Sequence, residues 1–307
     1  MLRPSVVAFG VFDGLHRGHQ ALIGQVVELA AREGHVASVV TFDPHPALVL
    51  SPDNSPRLIG TLEQRLEGLE RLGVQQVGVL PFDELAARES ATSFVERVLV
   101  GYLGTSDLVV GDDVHFGRER EGDVALLVRE GARHGFRVHS SPTYGAPQRF
   151  SSTAVRQSLA RGELGAANEI LGRPFVLRAP VVHGDARGRE IGFPTANLDP
   201  APRQQLPGLG IYAAAVRWAD QPWRCGAVSV GTRPQFYADG QVLVEVHLPD
   251  YAGDLYNVVV DVAFLQRLRG EARFTSLEEL VAQMTSDVAQ SREVFRTFTP
   301  GASLLLG

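Results

Sequence analysis

Short apolar runs separated by amphipathic helical stretches fill the first half of the chain, and the pattern changes after it. Residues 6–9, 37–42, 76–80, 108–110 and a weaker run at 136–139 have the length and β-branched content of buried strands. Between the first two, Leu22, Ile23, Val26, Val27 and Ala30 recur at helical spacing, with Gly34 placed as a C-terminal stop. Alternation of this kind predicts a parallel sheet covered by helices. Polar or turn-forming segments follow the first four runs: residues 10–19, Asp43-Pro44-His45-Pro46, Pro81-Phe82-Asp83 and Gly111-Asp112-Asp113. These segments fall at the carboxyl ends of the strands, where open α/β sheets bind ligands. Residues 150–171 turn helical, with Ser151, Ser152 and Thr153 as cap candidates ahead of Val155, Leu159 and Leu164. From Phe175 onward, Gly and Pro punctuate β-rich runs at 175–182, 211–216, 225–230, 242–248 and 258–264, with no helix between them. Antiparallel pairing, closed into a small barrel, is the simplest arrangement for such a stretch. The texture changes near Gly172-Arg173-Pro174, which predicts domains over residues 1–171 and 172–307. Ser276-Leu277-Glu278-Glu279 reads as a capping box, and Leu280, Val281, Met284 and Val288 continue an amphipathic C-terminal helix.

Composition narrows the chemistry. All 29 basic residues are arginine, so lysine Schiff bases and a Walker-type phosphate loop are excluded. A net charge of −6 argues against a broad nucleic-acid surface and favours small anionic ligands. The single Cys225 permits no internal disulfide and reads as a small buried residue. No apolar stretch is long enough to span a bilayer, and the chain opens into a strand without a charged leader. The expectation is a cytoplasmic protein with neither membrane nor nucleic-acid partners.

Two segments concentrate chemistry. The first, Gly10-Val11-Phe12-Asp13-Gly14-Leu15-His16-Arg17-Gly18-His19, sits between a strand and a helix. A helix N-terminus offers backbone N–H groups and partial positive charge, and glycine lets an anion approach that backbone. His16 and His19, three residues apart, can both donate to charge developing on a phosphoryl group. The second segment runs from His183 to Asn197, and Gly184, Gly188, Gly192, Arg187 and Arg189 suit it to wrapping polyphosphate. If its end is extended, Thr195 and Asn197 project to one face, where their oxygens could ligate a Mg²⁺ that also holds ATP. Strand alternation over residues 242–248 puts Val242, Val244, Val246 and Leu248 on one face and Leu243, Glu245 and His247 on the other. Glu245 could accept the proton of an alcohol attacking a phosphoryl group, or it could simply face solvent.

Along nearly its whole length the chain resembles the bacterial bifunctional riboflavin kinase/FAD synthetase family. The N-terminal motifs are the segment 10–19, Thr41-Phe-Asp-Pro-His-Pro46, Val110-Gly-Asp-Asp-Val-His-Phe-Gly117 with Gly122-Asp123, and Ser151-Ser-Thr-Ala-Val-Arg156. The C-terminal ones are Leu171-Gly-Arg-Pro174, Gly188-Arg-Glu-Ile-Gly-Phe-Pro-Thr-Ala-Asn197, Val230-Gly-Thr-Arg-Pro234 and Val244-Glu-Val-His247. The resemblance implies a Rossmann-like nucleotidyltransferase domain followed by a β-barrel kinase domain. In the barrel, a riboflavin hydroxyl attacks the γ-phosphate of ATP to give FMN, with Glu245 as base and Thr195 and Asn197 at Mg²⁺. In the first domain, the FMN phosphate attacks the α-phosphate of a second ATP, giving FAD and pyrophosphate. There His16 and His19 stabilise the transition state, while Arg156, Ser151, Ser152 and Thr153 hold phosphates. The resemblance further implies nucleotide contacts at Gly10, Phe12, Asp13, Gly14, Gly18, Gly184, Gly188, Arg189, Gly192 and Pro194. Flavin contacts are implied at Asp43, His45, Asp113 and Phe116. Departures from the family pattern stand at Ser229, where Asn is usual, at Gln235, where Thr is usual, at Glu121, where Ser is common, and at His115, where Arg or an aromatic residue is frequent.

Two other readings remain at this point. One is a nucleotidyltransferase for a different phosphate acceptor, fused to an unrelated barrel. The other is a flavin-sensing protein without turnover, which has no need of a base at Glu245.

Overall fold

The computed structural model describes residues 3–142, 150–184, 188, 191–232 and 242–299. The chain divides into two compact units, one taking it up to Arg57 together with Leu62–Ser152, the other taking Leu58–Thr61 and the chain from Thr153.

The first unit holds β1 (Ser5–Phe9), β2 (Val36–Asp43), β3 (Gln76–Pro81), β4 (Thr105–Gly111) and β5 (Arg137–Ser141). They form one sheet in the order β3-β2-β1-β4-β5, and every pairing is parallel. Its helices are α1 (Arg17–Glu33), α2 (Pro46–Leu50), α3 (Leu62–Arg71), α4 (Glu84–Arg88), α5 (Ala91–Phe94) and α6 (Val124–His134), with a π-helical stretch at Val95–Tyr102. All five residues of β1 are buried, which is why its run is continuously apolar rather than alternating. Val6 and Ala8 pack with Ile23, Val26 and Ala30 of α1, whereas Val7 and Phe9 pack with Phe94, Val98 and Leu127 on the other face. Gly34 ends α1 in the left-handed conformation at φ 70°, its N–H donating to Ala30 O. With β2 on one side of β1 and β4 on the other, the chain leaving β1 opens at the point where the strand order reverses.

The second unit contains α7 (Ser152–Ala160, whose first residue groups with the first unit), α8 (Leu164–Leu171) and six strands. These are β6 (Phe175–Val182), β7 (Thr195–Leu198), β8 (Gly210–Arg217), β9 (Arg224–Thr232), β10 (Val242–His247) and β11 (Val259–Arg269). They close into a barrel in the order β10-β7-β6-β11-β8-β9 through antiparallel pairs throughout. The expected run at 258–264 extends to Arg269, because register shifts near Phe264 and Arg267 let β11 bend and keep pairing with β8. The texture change at Gly172 marks where strands begin, but α7 and α8 group with the barrel. Asn168 explains part of this: its amide donates to Phe264 O at 3.1 Å and accepts from Phe175 N at 2.8 Å.

The C-terminal helix α9 (Leu277–Thr297) starts at Ser276, whose hydroxyl accepts from Glu279 N at 3.2 Å. The capping box closes one residue early: the Glu279 carboxylate takes Thr275 N and Oγ1, both at 2.9 Å, and these bonds hold it below the usual carboxylate range. The expected apolar stripe of Leu280, Val281, Met284 and Val288 is only half-buried. The fully buried positions of α9 are polar, Asp287 and Ser291. Asp287 receives the Arg269 guanidinium of β11 at 2.7 and 3.0 Å and the Gln283 amide at 2.9 Å.

Candidate active sites

The loop from Gly10 to His16 is held in an unusual shape before α1 begins. Phe12 and Leu15 take φ of 53° and 41°, a region that side chains rarely adopt, and the surroundings must hold them there. The Thr41 hydroxyl donates to Val11 O at 3.0 Å, and the buried Arg65 donates to Thr41 Oγ1 and Phe42 O, each at 3.0 Å. Burial pulls the Arg65 guanidinium below its usual range, opposed by the charges of Asp13 and Asp43. Arg65 is a component that the sequence did not signal, since an arginine inside an amphipathic helix reads as a solvated position. Asp13 and His16 are buried at 2% and 5% exposure, so this polar loop faces inward as well as toward the sheet edge.

His16 is the N-cap of α1, its Nδ1 accepting from His19 N at 3.4 Å. A ring whose Nδ1 accepts carries its proton on Nε2 when neutral, which makes Nε2 the donor. The His16 and His19 rings stack at 3.6 Å, and Phe12 meets His19 edge-on at 5.2 Å. A β-carbon on Gly18 would press on the His16 ring at 3.2 Å, and one on Gly10 would press on Phe12 at 3.2 Å, so either substitution would push an aromatic ring of the loop by a few tenths of an ångström. Gly14, at φ 79°, completes the turn. The Ser152 hydroxyl, in the same unit as the loop, donates to Asp13 O at 2.8 Å. Ser151 is half-buried beside it, Thr153 is exposed on the first turn of α7, and Arg156 is half-buried one turn further.

The implied flavin residues lie at the carboxyl ends of β2 and β4, the two strands that flank β1. Asp43 is exposed, and His45 caps α2 through Nδ1, which accepts from Ala47 N at 3.0 Å. Asp113 is exposed, whereas the Phe116 ring packs on Phe9 at 5.1 Å and Phe94 at 5.7 Å. Glu121 has a structural use: its carboxylate accepts from Ala91 N at 2.9 Å, satisfying an orphan donor at the start of α5. A cavity of about 330 Å³ lies after β3, lined by Leu80, Asp83, Leu85, Glu89 and Arg97 among others, and none of the expected site residues reaches it.

In the barrel the register assembles the second site. β7 and β10 pair so that Asn197 stands opposite Glu245 and Thr195 opposite His247. Val244 and Val246 fill the barrel interior at 1% and 2% exposure, which turns Glu245 and His247 outward. That outer face is partly covered by α9. A cavity of about 260 Å³ is lined by Phe193, Thr195, Ser229, Glu245 and His247 from the strand side and by Leu280, Met284 and Val288 of α9 from the other. Ser229 sits opposite Glu245 on β9.

Gly184 lies against the Asn197 amide, where any β-carbon would overlap it. Gly188 O accepts from Phe193 N at 2.8 Å, and Gly192 takes φ 84°, so the chain folds back just before Pro194. Arg189 and Gln235 lie outside the described residues. Cys225 is buried on β9, and burial pushes its thiol up to about 11, which fits its reading as a packing residue.

A parallel α/β unit with two histidines at a helix N-terminus, and a closed barrel carrying a carboxylate beside two hard oxygen donors, define a protein that transfers groups from nucleotides. The family model for FAD synthetase matches residues 1–154, and that for riboflavin kinase matches residues 171–295. The bifunctional riboflavin kinase/FMN adenylyltransferase of Pseudomonas fluorescens is 41% identical over 94% of this chain and 93% of its own. That of Escherichia coli (strain K12) is 40% identical over 96% and 94%. A crystal structure described as a macrolide-efflux protein from Streptococcus pneumoniae superposes with a TM-score of 0.84 at 31% identity, covering 97% of this chain and 95% of that one. Among the described residues, no helix is long and apolar enough to cross a membrane. The chain belongs to the bifunctional riboflavin kinase/FMN adenylyltransferase family, with the FAD synthetase part N-terminal and the riboflavin kinase part C-terminal.

Proposed function

We propose that FMN is made from riboflavin and ATP in the barrel cavity and adenylylated to FAD at the Gly10–His19 loop, with the functional division following residues 1–171 and 172–307. The kinase reading rests on the β7–β10 register, which gathers Glu245, Asn197 and Thr195 at one face. Glu245 takes the proton of the riboflavin hydroxyl as it attacks the γ-phosphate. Thr195 Oγ1 and Asn197 Oδ1 are the hard oxygens that suit Mg²⁺, and the Gly184 cradle leaves space for the Asn197 amide. When bound, the metal withdraws charge from the phosphate oxygens. Gly184, Gly188, Arg189, Gly192 and Pro194 shape the nucleotide loop.

In the adenylyltransferase, His16 Nε2 and His19 donate to charge developing on the α-phosphate of ATP, and the N-terminus of α1 adds its partial positive charge. Gly10, Phe12, Asp13, Gly14 and Gly18 form the cradle, while Ser151, Ser152, Thr153 and Arg156 hold the remaining phosphates. Asp43, His45, Asp113 and Phe116 border the flavin end. A net charge of −6 supports small-molecule substrates over nucleic acid. Because ATP is consumed in both steps, the cytoplasm is the fitting location.

Incubation with riboflavin, ATP and Mg²⁺, followed by chromatographic separation of the flavins, should show FMN and then FAD. Absence of FMN would overturn the kinase reading, and FMN without FAD the adenylyltransferase reading. A sharper test separates the metal sites. Thr195→Ala should raise the Mg²⁺ concentration needed for FMN synthesis and leave that for FAD synthesis from supplied FMN unchanged. Equal shifts in both half-reactions would remove Thr195 from the kinase.

A further inference from the structure

His247 stands on the same outward face as Glu245 and lines the same cavity, yet the proposed transfer gives it no step. Its Nδ1 lies 2.8 Å from Pro194 O, and its ring packs against Phe193 with centroids 5.3 Å apart. A carbonyl oxygen can only accept, so Nδ1 must carry the proton and donate. The Pro194 carbonyl and the Thr195 N–H belong to one rigid peptide plane, and fixing the oxygen fixes the orientation at which Thr195 leaves that plane. Pro194 itself has no N–H to anchor, and Phe193 is tied back to Gly188 O. The His247 bond is therefore a side-chain tie on the peptide that launches Thr195, the residue directly across the register from His247 itself.

We propose that His247 is a positioning residue of the kinase: by holding the Pro194–Thr195 peptide it sets the Thr195 hydroxyl beside Asn197, where the nucleotide-bound Mg²⁺ is received. The assignment rests on the reading of Thr195 and Asn197 as metal ligands. His247 acts through Thr195 and not on the reacting atoms.

Three substitutions separate this role from packing. Asparagine places its amide nitrogen where histidine has Nδ1, whereas glutamine reaches toward the Nε2 position, and alanine supplies neither. Calorimetric titration with ADP in the presence of MgCl2, and again in EDTA, measures the effect without turnover. His247→Ala should weaken ADP binding about tenfold with Mg²⁺, the factor that ~1.4 kcal/mol supplies, and leave binding in EDTA unchanged. His247→Asn should restore most of the loss, and His247→Gln should not. In the steady state the KM for Mg·ATP should rise in the alanine variant while kcat at saturation stays within a fewfold. In the unsubstituted protein with ¹⁵N-labelled histidine, Nδ1 of His247 should carry a proton. Far-UV circular dichroism and thermal unfolding are the folding control for the barrel.

Equal behaviour of the asparagine and glutamine variants, or unchanged Mg·ADP affinity in the alanine variant, would make His247 a packing residue and overturn the proposal. Thr195→Ala measured alongside distinguishes the two layers. If it too leaves Mg·ADP affinity unchanged, the metal-ligand reading falls and the proposal with it; if it weakens affinity while His247→Ala does not, only the role of His247 is lost.

Discussion

Glu245→Gln should abolish FMN formation while conversion of supplied FMN to FAD continues at the unsubstituted rate. The amide keeps the shape of the carboxylate, so the β7–β10 register and the cavity lining should survive, but it cannot accept a proton at neutral pH. General bases contribute about 10²–10⁴-fold, and the loss should fall in that range and in kcat rather than in the affinity for riboflavin. The structure adds a reason to expect a large effect. Glu245 lines a cavity partly covered by α9 and stands across from Asn197. Separate assays of the two half-reactions, starting from riboflavin and from FMN, check it. Normal riboflavin phosphorylation by the variant would leave Glu245 a lining residue only.

The mirror experiment is His19→Ala or His16→Ala, for which FMN should accumulate and FAD should not form. Loss of one preorganised donor to developing charge costs about 10²–10³-fold in kcat. The two variants should differ in stability, because His16 also caps α1 through Nδ1 and His19 does not cap a helix. Loss of a cap typically costs about 1 kcal/mol, so His16→Ala should melt earlier as well as react more slowly. Thermal unfolding together with FMN-to-FAD conversion reads both effects. If FMN synthesis falls in parallel in a folded His19→Ala protein, the histidines do not belong to the adenylyl transfer alone.

Most of the architecture was legible from short apolar runs, although β3 has no buried residue and β7 was anticipated only as an extended end to its loop. β1 is buried on both faces and reads as an unbroken apolar run, and the strands of the barrel are spaced by Gly and Pro with no helical period between them. The His16–His19 and Thr195–Asn197 pairs were legible because their spacing matches the geometry of a helix start and of an extended strand. Arg65 was not, since its importance comes from burial against β2 and not from any local pattern. The roof over Glu245 was hidden for a different reason. It depends on a helix some 35–45 residues later in the chain, and only long-range packing could convert a polar strand face into a cavity wall. The sequence did hold a clue: Asp287 and Ser291 continue the 280–284 stripe at helical spacing, where polar residues signal a specific partner. Nothing local identified Arg269 as that partner.

The polar clasp of α9 couples the docking of the helix to the filling of the cavity beneath it. Arg269 and Asp287 dock the helix through charge and leave Leu280, Met284 and Val288 facing the cavity, so whatever occupies the cavity completes the apolar side of that docking. A ligand that binds only the folded form stabilises it by RT ln(1 + [L]/Kd), about 2.7 kcal/mol at a hundredfold excess over Kd. For a helix whose only fully buried positions are the polar Asp287 and Ser291, that increment sets how often the segment opens. On the proposed reading that riboflavin is that occupant, its supply sets how firmly α9 stays docked on the barrel.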